Sequence, residues 1–245
     1  MTNSVKKYKA VFIDWDDTIG DFAQAAHVSL TEMYEKYRLS EFFESFDAFF
    51  TLYKSHNIEL WQRYGEDEVT KEFLRVDRFL WPIVQGLGGG EPLMQSPHLK
   101  HLAEQMSEDF LRLTTEHFSL LPGAEEMVRY LAARYPLTIV SNGFCEVQYE
   151  KIERSGLKDL FAHVVLSEEV GCQKPNPYIY EVALERNQLA ADEVVMVGDS
   201  WFSDIQGAQR AGIDQLWIRQ DKGPLPDGQT ATYIVHNNQE VQDIL

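Results

Sequence analysis

The sequence predicts an α/β protein: a doubly wound parallel sheet, Rossmann-like, carrying an inserted α-helical domain. Three observations predict it. Short apolar runs without polar alternation recur along the chain, and each stops at a polar or acidic residue. Such runs suit strands buried on both faces, as in a parallel sheet covered by helices. Helical patterns fall between the runs, and this alternation of strand and helix indicates a doubly wound sheet. Between residues 21 and 120 the rhythm breaks into a long, aromatic-rich stretch of helical period with no strand pattern. The chain has 245 residues, room for one to two domains of about 150 residues, with a core that needs no disulfide or metal to fold.

In order along the chain, Ala10 to Ile13 runs into Asp14 and predicts the first strand. In the insert, Phe42, Phe43, Phe46, Phe49, Phe50 and Tyr53 recur at spacings of three and four. That spacing predicts one broad apolar helix face inside a helix bundle. Gly86 to Pro92 predicts a flexible loop within the insert, as glycine-rich stretches do. Gly20 and Leu121-Pro122-Gly123 are its expected hinges, since Gly and Pro punctuate elements. Residues 1–20 and 121–245 are then the core, and residues 21–120 the helical domain. Beyond the insert, Ala124 to Tyr135 reads as a helix and Leu137 to Val140 as a strand ending at Ser141. Val164 to Leu166 is a strand running into Ser167-Glu168-Glu169, and Tyr178 to Asn187 a helix. Val194 to Val197 is a strand ending at Gly198-Asp199, and Phe202 to Ala211 a helix closed by Gly212 as its C-terminal cap. Gln215 to Ile218 is a further strand, and the tail holds one more, Ala231 to Val235, before a short final helix.

Composition narrows the function. Lys and Arg number 22 against 39 Asp and Glu, a formal charge of −17. That charge opposes binding to nucleic acid or anionic membrane, because phosphate surfaces attract positive proteins. Only Cys145 and Cys172 are present, too few for a disulfide framework, and a reducing compartment is expected. The apolar run after the basic start stops at Asp14, too short for a signal peptide. No stretch approaches the roughly 20 apolar residues that span a bilayer. A cytoplasmic protein acting on a small molecule is the expectation; the sequence carries no signal for oligomeric state.

In open α/β sheets, ligands bind beyond the carboxyl ends of the strands. Asp14, Ser141 and Asp199 each stand at such an end, and Lys174 lies in the loop after the Val164 run. Two carboxylates, a hydroxyl, a lysine and glycine-rich backbone make a set suited to phosphate and a divalent cation. Carboxylates hold Mg²⁺, while hydroxyl, ammonium and backbone amides meet phosphate oxygens. Asp14-Trp15-Asp16-Asp17-Thr18-Ile19, Ser141-Asn142-Gly143, Lys174-Pro175 and Gly198-Asp199-Ser200 through Asp204 resemble the four ordered motifs of the haloacid dehalogenase superfamily. The resemblance spans about Ala10 to Ile218, and the insert stands where that superfamily carries a class I helical cap. Ser141-Asn142-Gly143-Phe144, Ser167-Glu168-Glu169-Val170-Gly171 and Lys174-Pro175-Asn176 are further similar to its pyrimidine 5′-nucleotidase branch.

The resemblance implies a Mg²⁺-dependent phosphomonoesterase acting on nucleoside 5′-monophosphates. Asp14 would be the nucleophile, forming an aspartyl-phosphate, and Asp16 the acid and then the base. Mg²⁺ would take Asp14, the backbone carbonyl of Asp16, and Asp199. Asp204 would stand either behind the metal ligands or beside Lys174. Thr18, Ser141, Asn142, Gly143 and Lys174 would hold the phosphoryl group, and the cap would close over the substrate. Alternatives within the superfamily are a sugar-phosphate phosphatase, a phosphomutase, or a dehalogenase; the last needs no acid, and Asp16 argues against it. A silent regulatory module on the same scaffold is the reading from another class.

Other features give way. A calcium loop starting at Asp14 would need Gly where Ile19 stands and Glu where Ala25 stands. Gly86 to Glu91 lacks the last glycine of a dinucleotide fingerprint. His98 and His101 lack a third ligand nearby and read as a solvated helix start. Asp17 is expected to serve as a turn residue and Cys145 as a buried structural thiol. Trp15 either touches substrate or packs under the cap.

Overall fold

The structure, a computed structural model, describes residues 8–245. It contains a 6-stranded sheet in the order β3-β2-β1-β4-β5-β6: β1 Ala10–Ile13, β2 Leu137–Ser141, β3 Phe161–Leu166, β4 Val194–Gly198, β5 Asp214–Ile218 and β6 Tyr233–Val235. Every neighbouring pair is parallel. β1 lies between β2 and β4, so the chain winds outward in one direction through β2 and β3 and in the other through β4, β5 and β6. This is the doubly wound Rossmann-like arrangement that the uninterrupted apolar runs predict.

Strand alternation divides the buried residues between two layers. On one face Val11 and Ile13 of β1, Ile139 of β2 and Val195 and Val197 of β4 pack with Met127, Val128 and Leu131. On the other, Ala10, Phe12, Val140, Val194 and Met196 pack with Ile179, Tyr180 and Ala183. The helices supplying those side chains are α6 Ala124–Ala132 and α9 Pro177–Asn187; α7 Cys145–Arg154, the short α8 Ser167–Val170 and α10 Gln206–Arg210 complete the layers, and a 3-10 turn at Gln239–Asp243 closes the chain. α9 starts where Asn176 caps it, its side chain accepting from the Tyr178 N–H at 3.0 Å, with Pro177 in the first turn. Asn at the cap and Pro just inside it is the favoured order.

The chain divides into two compact units, one made of the chain through Phe22 with Phe118–Leu245, the other of Ala23–His117. The second unit is helical. It holds most of α1 Phe22–Lys36, then α2 Phe46–Gly65, α3 Lys71–Gly86, the short α4 Glu91–Met94 and α5 Pro97–Glu116. Phe49, Tyr53, Phe79 and Phe110 form its aromatic core, with ring centroids 5.3–6.0 Å apart. The single helix face expected over Phe42 to Tyr53 is corrected in two ways. Ser45 caps α2 by accepting from the Ala48 N–H, so Phe42 and Phe43 precede the helix. Phe49 and Tyr53 are buried while Phe46 and Phe50 are only partly so. The expected loop at Gly86 to Pro92 is also shorter: α3 runs to Gly86, α4 begins at Glu91, and Gly88, Gly89 and Gly90 turn the chain at positive φ.

No helix among the described residues is long and apolar enough to cross a membrane. Gly123, one expected hinge, has φ 76° and would place a Cβ 2.2 Å from Gln239 Nε2. Its glycine is therefore demanded by the fold of the core unit itself.

Candidate active site

β1, β2 and β4 end side by side, at the point where the winding direction reverses. Asp14 follows β1, Ser141 closes β2, and Asp199 follows β4. Parallel strands bring these carboxyl ends to one edge, the place where open α/β sheets bind ligands. The loop between α8 and α9 adds Lys174, and the turn after Ser200 adds Asp204.

Lys174 organises the centre. It is buried, and its Nζ donates to Asp14 Oδ1 at 2.5 Å and to Asp204 Oδ1 at 2.7 Å. An ammonium has three donors, so one remains for a ligand. Burial works against the charge, yet the Asp14 and Asp204 carboxylates outweigh it and hold Lys174 above the usual lysine value. The loop carrying Lys174 is fixed by Asn142, whose side chain accepts from the Lys174 N–H at 2.8 Å and donates to its carbonyl at 2.9 Å.

Asp204 comes inward on one turn of π-helix over Trp201–Ile205, with the Ile205 N–H donating to the Ser200 carbonyl at 3.2 Å. Asp204 Oδ2 accepts from the Ser200 N–H at 3.0 Å, while Oδ1 takes Lys174 and the Ser203 hydroxyl. Asp204 thus stands beside Lys174, and it also belongs to the acidic group formed with Asp14 and Asp199. Its approach requires Gly198: a Cβ there would lie 2.4 Å from Asp204 Oδ2. Gly198→Ala is therefore expected to cost about 1–3 kcal/mol, as overpacking does. An unshifted midpoint in denaturant titration would contradict this crowding.

Asp14, Asp199 and Asp204 each offer an oxygen within 4.8 Å of the others, the group among the described residues with the spacing of a metal site. Three carboxylates face one ammonium, a formal excess of two negative charges that protonation or a cation must relieve. Burial, with Asp204 adding to it against the pull of Lys174, pushes the Asp14 carboxyl up to about 7. Asp199 is pushed well above its ordinary value by burial, then by Asp204, Asp14 and Asp17, against a hydrogen bond from Thr18. A divalent cation fits this set: all-oxygen donors, with Asp14 and Asp204 buried and Asp199 partly so, and a formal charge of the right sign and size.

Thr18 donates its one hydroxyl proton to Asp199 Oδ1 at 2.9 Å. Ser141 Oγ accepts from the Gly143 N–H at 3.1 Å and from Gln148 Nε2 at 2.8 Å. With both lone pairs occupied, its own proton is the group left to give. Asp17 turns the loop at φ 61°, its N–H donating to the Gly20 carbonyl. Trp15 is fully buried and stacks on Phe118 at 5.9 Å; it packs. Cys145 departs from expectation. It is half-buried at the first turn of α7, its N–H held by Glu168 Oε2 at 2.6 Å. His98 and His101 lie exposed on α5.

Asp16 stands apart from the Lys174 cluster. Its Oδ1 accepts from Lys151 Nζ at 2.8 Å. Sequence reasoning missed Lys151, and also Gln148, one turn before it on α7. The available signal was positional: Gln148 and Lys151 share the buried stripe of Val147 and Ile152, where a polar residue needs a partner.

A sheet of this order with these groups at its switch point defines a class of hydrolase, and the family model bears it out. The chain belongs to the haloacid dehalogenase-like hydrolases, whose model matches residues 11–218. It is 30% identical over 241 residues to the pyrimidine 5′-nucleotidase YjjG of Escherichia coli strain K12, covering 98% of each chain. It is 28% identical over 242 residues to the HAD-hydrolase YfnB of Bacillus subtilis strain 168, covering 98% of this chain and 97% of the relative. The crystal structure of YfnB bound to magnesium matches with a TM-score of 0.82, over 98% of this chain and 99% of that one. The glyceraldehyde 3-phosphate phosphatase of Pyrococcus furiosus is 27% identical over 227 residues, 89% of this chain and 83% of the relative.

Proposed function

We propose that the protein is a Mg²⁺-dependent phosphomonoesterase that works through an aspartyl-phosphate and acts on nucleoside 5′-monophosphates, pyrimidine ones foremost. The observation that carries the reading is the buried Asp14 carboxylate held by Lys174 beside the acidic group it forms with Asp199 and Asp204. The nucleotide assignment draws on the full-length likeness to YjjG.

Asp14 attacks phosphorus as its bond to the leaving oxygen breaks, dividing one displacement into two. Asp16 gives a proton to the departing alkoxide, then takes one from the water that attacks the aspartyl-phosphate and frees inorganic phosphate. Ser141 and the remaining donor of Lys174 hold phosphoryl oxygens, within a frame set by Thr18, Asn142 and Gly143. Asp14, Asp199 and the Asp16 backbone carbonyl hold Mg²⁺, and Asp204 keeps Lys174 in place from behind. Bound there, the cation keeps the nucleophile ionised and offsets its repulsion with phosphate. The helical unit of residues 23–117 serves as the cap that selects substrate; the magnesium-bound YfnB structure, described as revealing interdomain movement, supports this role.

Phosphate release from a panel of nucleoside monophosphates and sugar phosphates, with Mg²⁺ and with chelator, tests the reading. Pyrimidine 5′-monophosphates are expected to be preferred, with turnover abolished by chelator and restored by Mg²⁺. Preference for a sugar or triose phosphate favours the second reading, drawn from the P. furiosus relative, and overturns the nucleotide assignment. No release from any ester overturns the whole.

A further inference from the structure

Lys151 has no place in the mechanism above, yet it is as buried as the core around it, at 3% exposure. Removing an ammonium from water is expensive and is sustained only by a well-placed partner. Here the partner is Asp16 Oδ1 at 2.8 Å, with the Phe22 ring beneath the ammonium at 4.8 Å, a cation–π contact. Asp16 is the less enclosed of the pair, its side chain 27% exposed. Its other oxygen, Oδ2, makes no hydrogen bond to any described residue. One end of the carboxylate is thus fixed and the other open. The anchor is firm, because α7 also carries Gln148, which holds the Ser141 hydroxyl at 2.8 Å. One helix therefore sets the orientation of two site groups from two different strands' ends.

We propose that Lys151 is a positioning residue that ties down Asp16 Oδ1 so that Oδ2 does the proton transfer in both half-reactions. This rests on the phosphomonoesterase reading. In the first half, Oδ2–H gives its proton to the ester oxygen as the P–O bond breaks. In the second, Oδ2 takes a proton from water as the water oxygen bonds to phosphorus and Asp14 leaves as carboxylate. No other reactant is needed.

The test compares two esters whose leaving groups differ in their need for a proton: a pyrimidine nucleoside 5′-monophosphate, which releases an alkoxide, and p-nitrophenyl phosphate, which releases a stable phenolate. Lys151→Met is expected to lower kcat/KM for the nucleotide about 10²-fold, the range of positioned acid–base groups. On the aryl ester kcat/KM should fall far less, by about threefold, because its first step needs no acid. Its kcat should still drop, since water activation uses the same oxygen. Lys151→Arg keeps the charge and should recover most of the nucleotide rate, while its longer planar head still lowers the nucleotide-to-aryl ratio below that of wild type. Melting curves run alongside; if Lys151→Met does not fold, the ratio in Lys151→Arg decides. Equal losses on the two esters in every folded variant, or no loss, overturn the inference while leaving the function standing. Wild-type protein inactive on both esters overturns the function, and this inference with it.

Discussion

Asp14→Asn is expected to abolish phosphate release, by about 10⁴-fold or more, and yet to make the metal-free protein more stable. The two effects have one origin. Asp14 is buried beside two further carboxylates, and in that setting its carboxyl is pushed up to about 7, burial first and Asp204 next. A carboxyl raised in the folded state favours folding when protonated, so its contribution is full below the unfolded value and is lost as pH rises through the folded one. In chelator, the advantage of asparagine should therefore be nil near pH 4 and should grow through pH 7 to pH 8. Added Mg²⁺ should stabilise wild type, by about 2.7 kcal/mol at a hundredfold excess over its Kd, and the variant by less. Thermal melts at several pH values, each with chelator and with Mg²⁺, measure all of this. A variant that loses activity and also loses stability in chelator would show Asp14 to be a structural carboxylate, and the reading of it as a nucleophile kept ionised at a cost would fall. Such opposition of stability and activity is what a site under electrostatic stress should display.

The sheet was legible because strands buried on both faces leave an unbroken apolar signature: Ala10 to Ile13 and Val194 to Val197 are wholly buried, and each hands over to a carboxylate within two residues. The polar strand ends mattered as much as the apolar runs, since they marked the edge where Asp14, Asp199, Asp204 and Lys174 gather. The helical unit was legible in kind and less so in detail. Aromatic spacing over Phe42 to Tyr53 overrode a local signal, Ser45, whose hydroxyl starts the helix by taking the Ala48 N–H; capping chemistry sets where a helix begins, and periodicity only which face it buries. In the candidate site, residues that lie in a motif stood out, and those that reach it through another residue did not. Lys151 meets Asp16 across 135 positions, and nothing in a helix reading Tyr149-Glu150-Lys151-Ile152 separates a buried lysine from a solvated one except its place on the apolar stripe. Asn142 shows the same limit: its motif is visible, but the two hydrogen bonds that clamp the Lys174 backbone belong to a loop that only the folded chain brings there.

Lys174→Met should produce the opposite stability effect from Asp14→Asn at the other end of the same ion pair. Methionine fills much of the volume of the lysine stem but leaves Asp14 and Asp204 buried with no cation between them. Removing one partner of a buried pair costs about 3–5 kcal/mol, and here a single ammonium serves two carboxylates at 2.5 and 2.7 Å. The deficit in chelator should grow from pH 5 to pH 8. Lys174 itself, held above its ordinary value, stays charged across that window in wild type, where Asp14 ionises with its counter-charge beside it; the variant lacks the pull of Lys174, so its Asp14 is driven higher still and resists ionising, and the gap to wild type widens as pH rises. Adding Asp14→Asn to Lys174→Met removes one of the two stranded carboxylates and should return part of the lost stability, without any return of activity, since each substitution alone removes a group that the proposed mechanism places on the phosphoryl oxygens or the phosphorus. Denaturant midpoints of the two single variants and the double, at pH 5 and pH 8, form the cycle that isolates the coupling. Strict additivity would mean that Lys174 and Asp14 do not sense each other's charge, and the electrostatic account of this site would have to be abandoned in favour of one in which Lys174 is anchored through Asp204 alone.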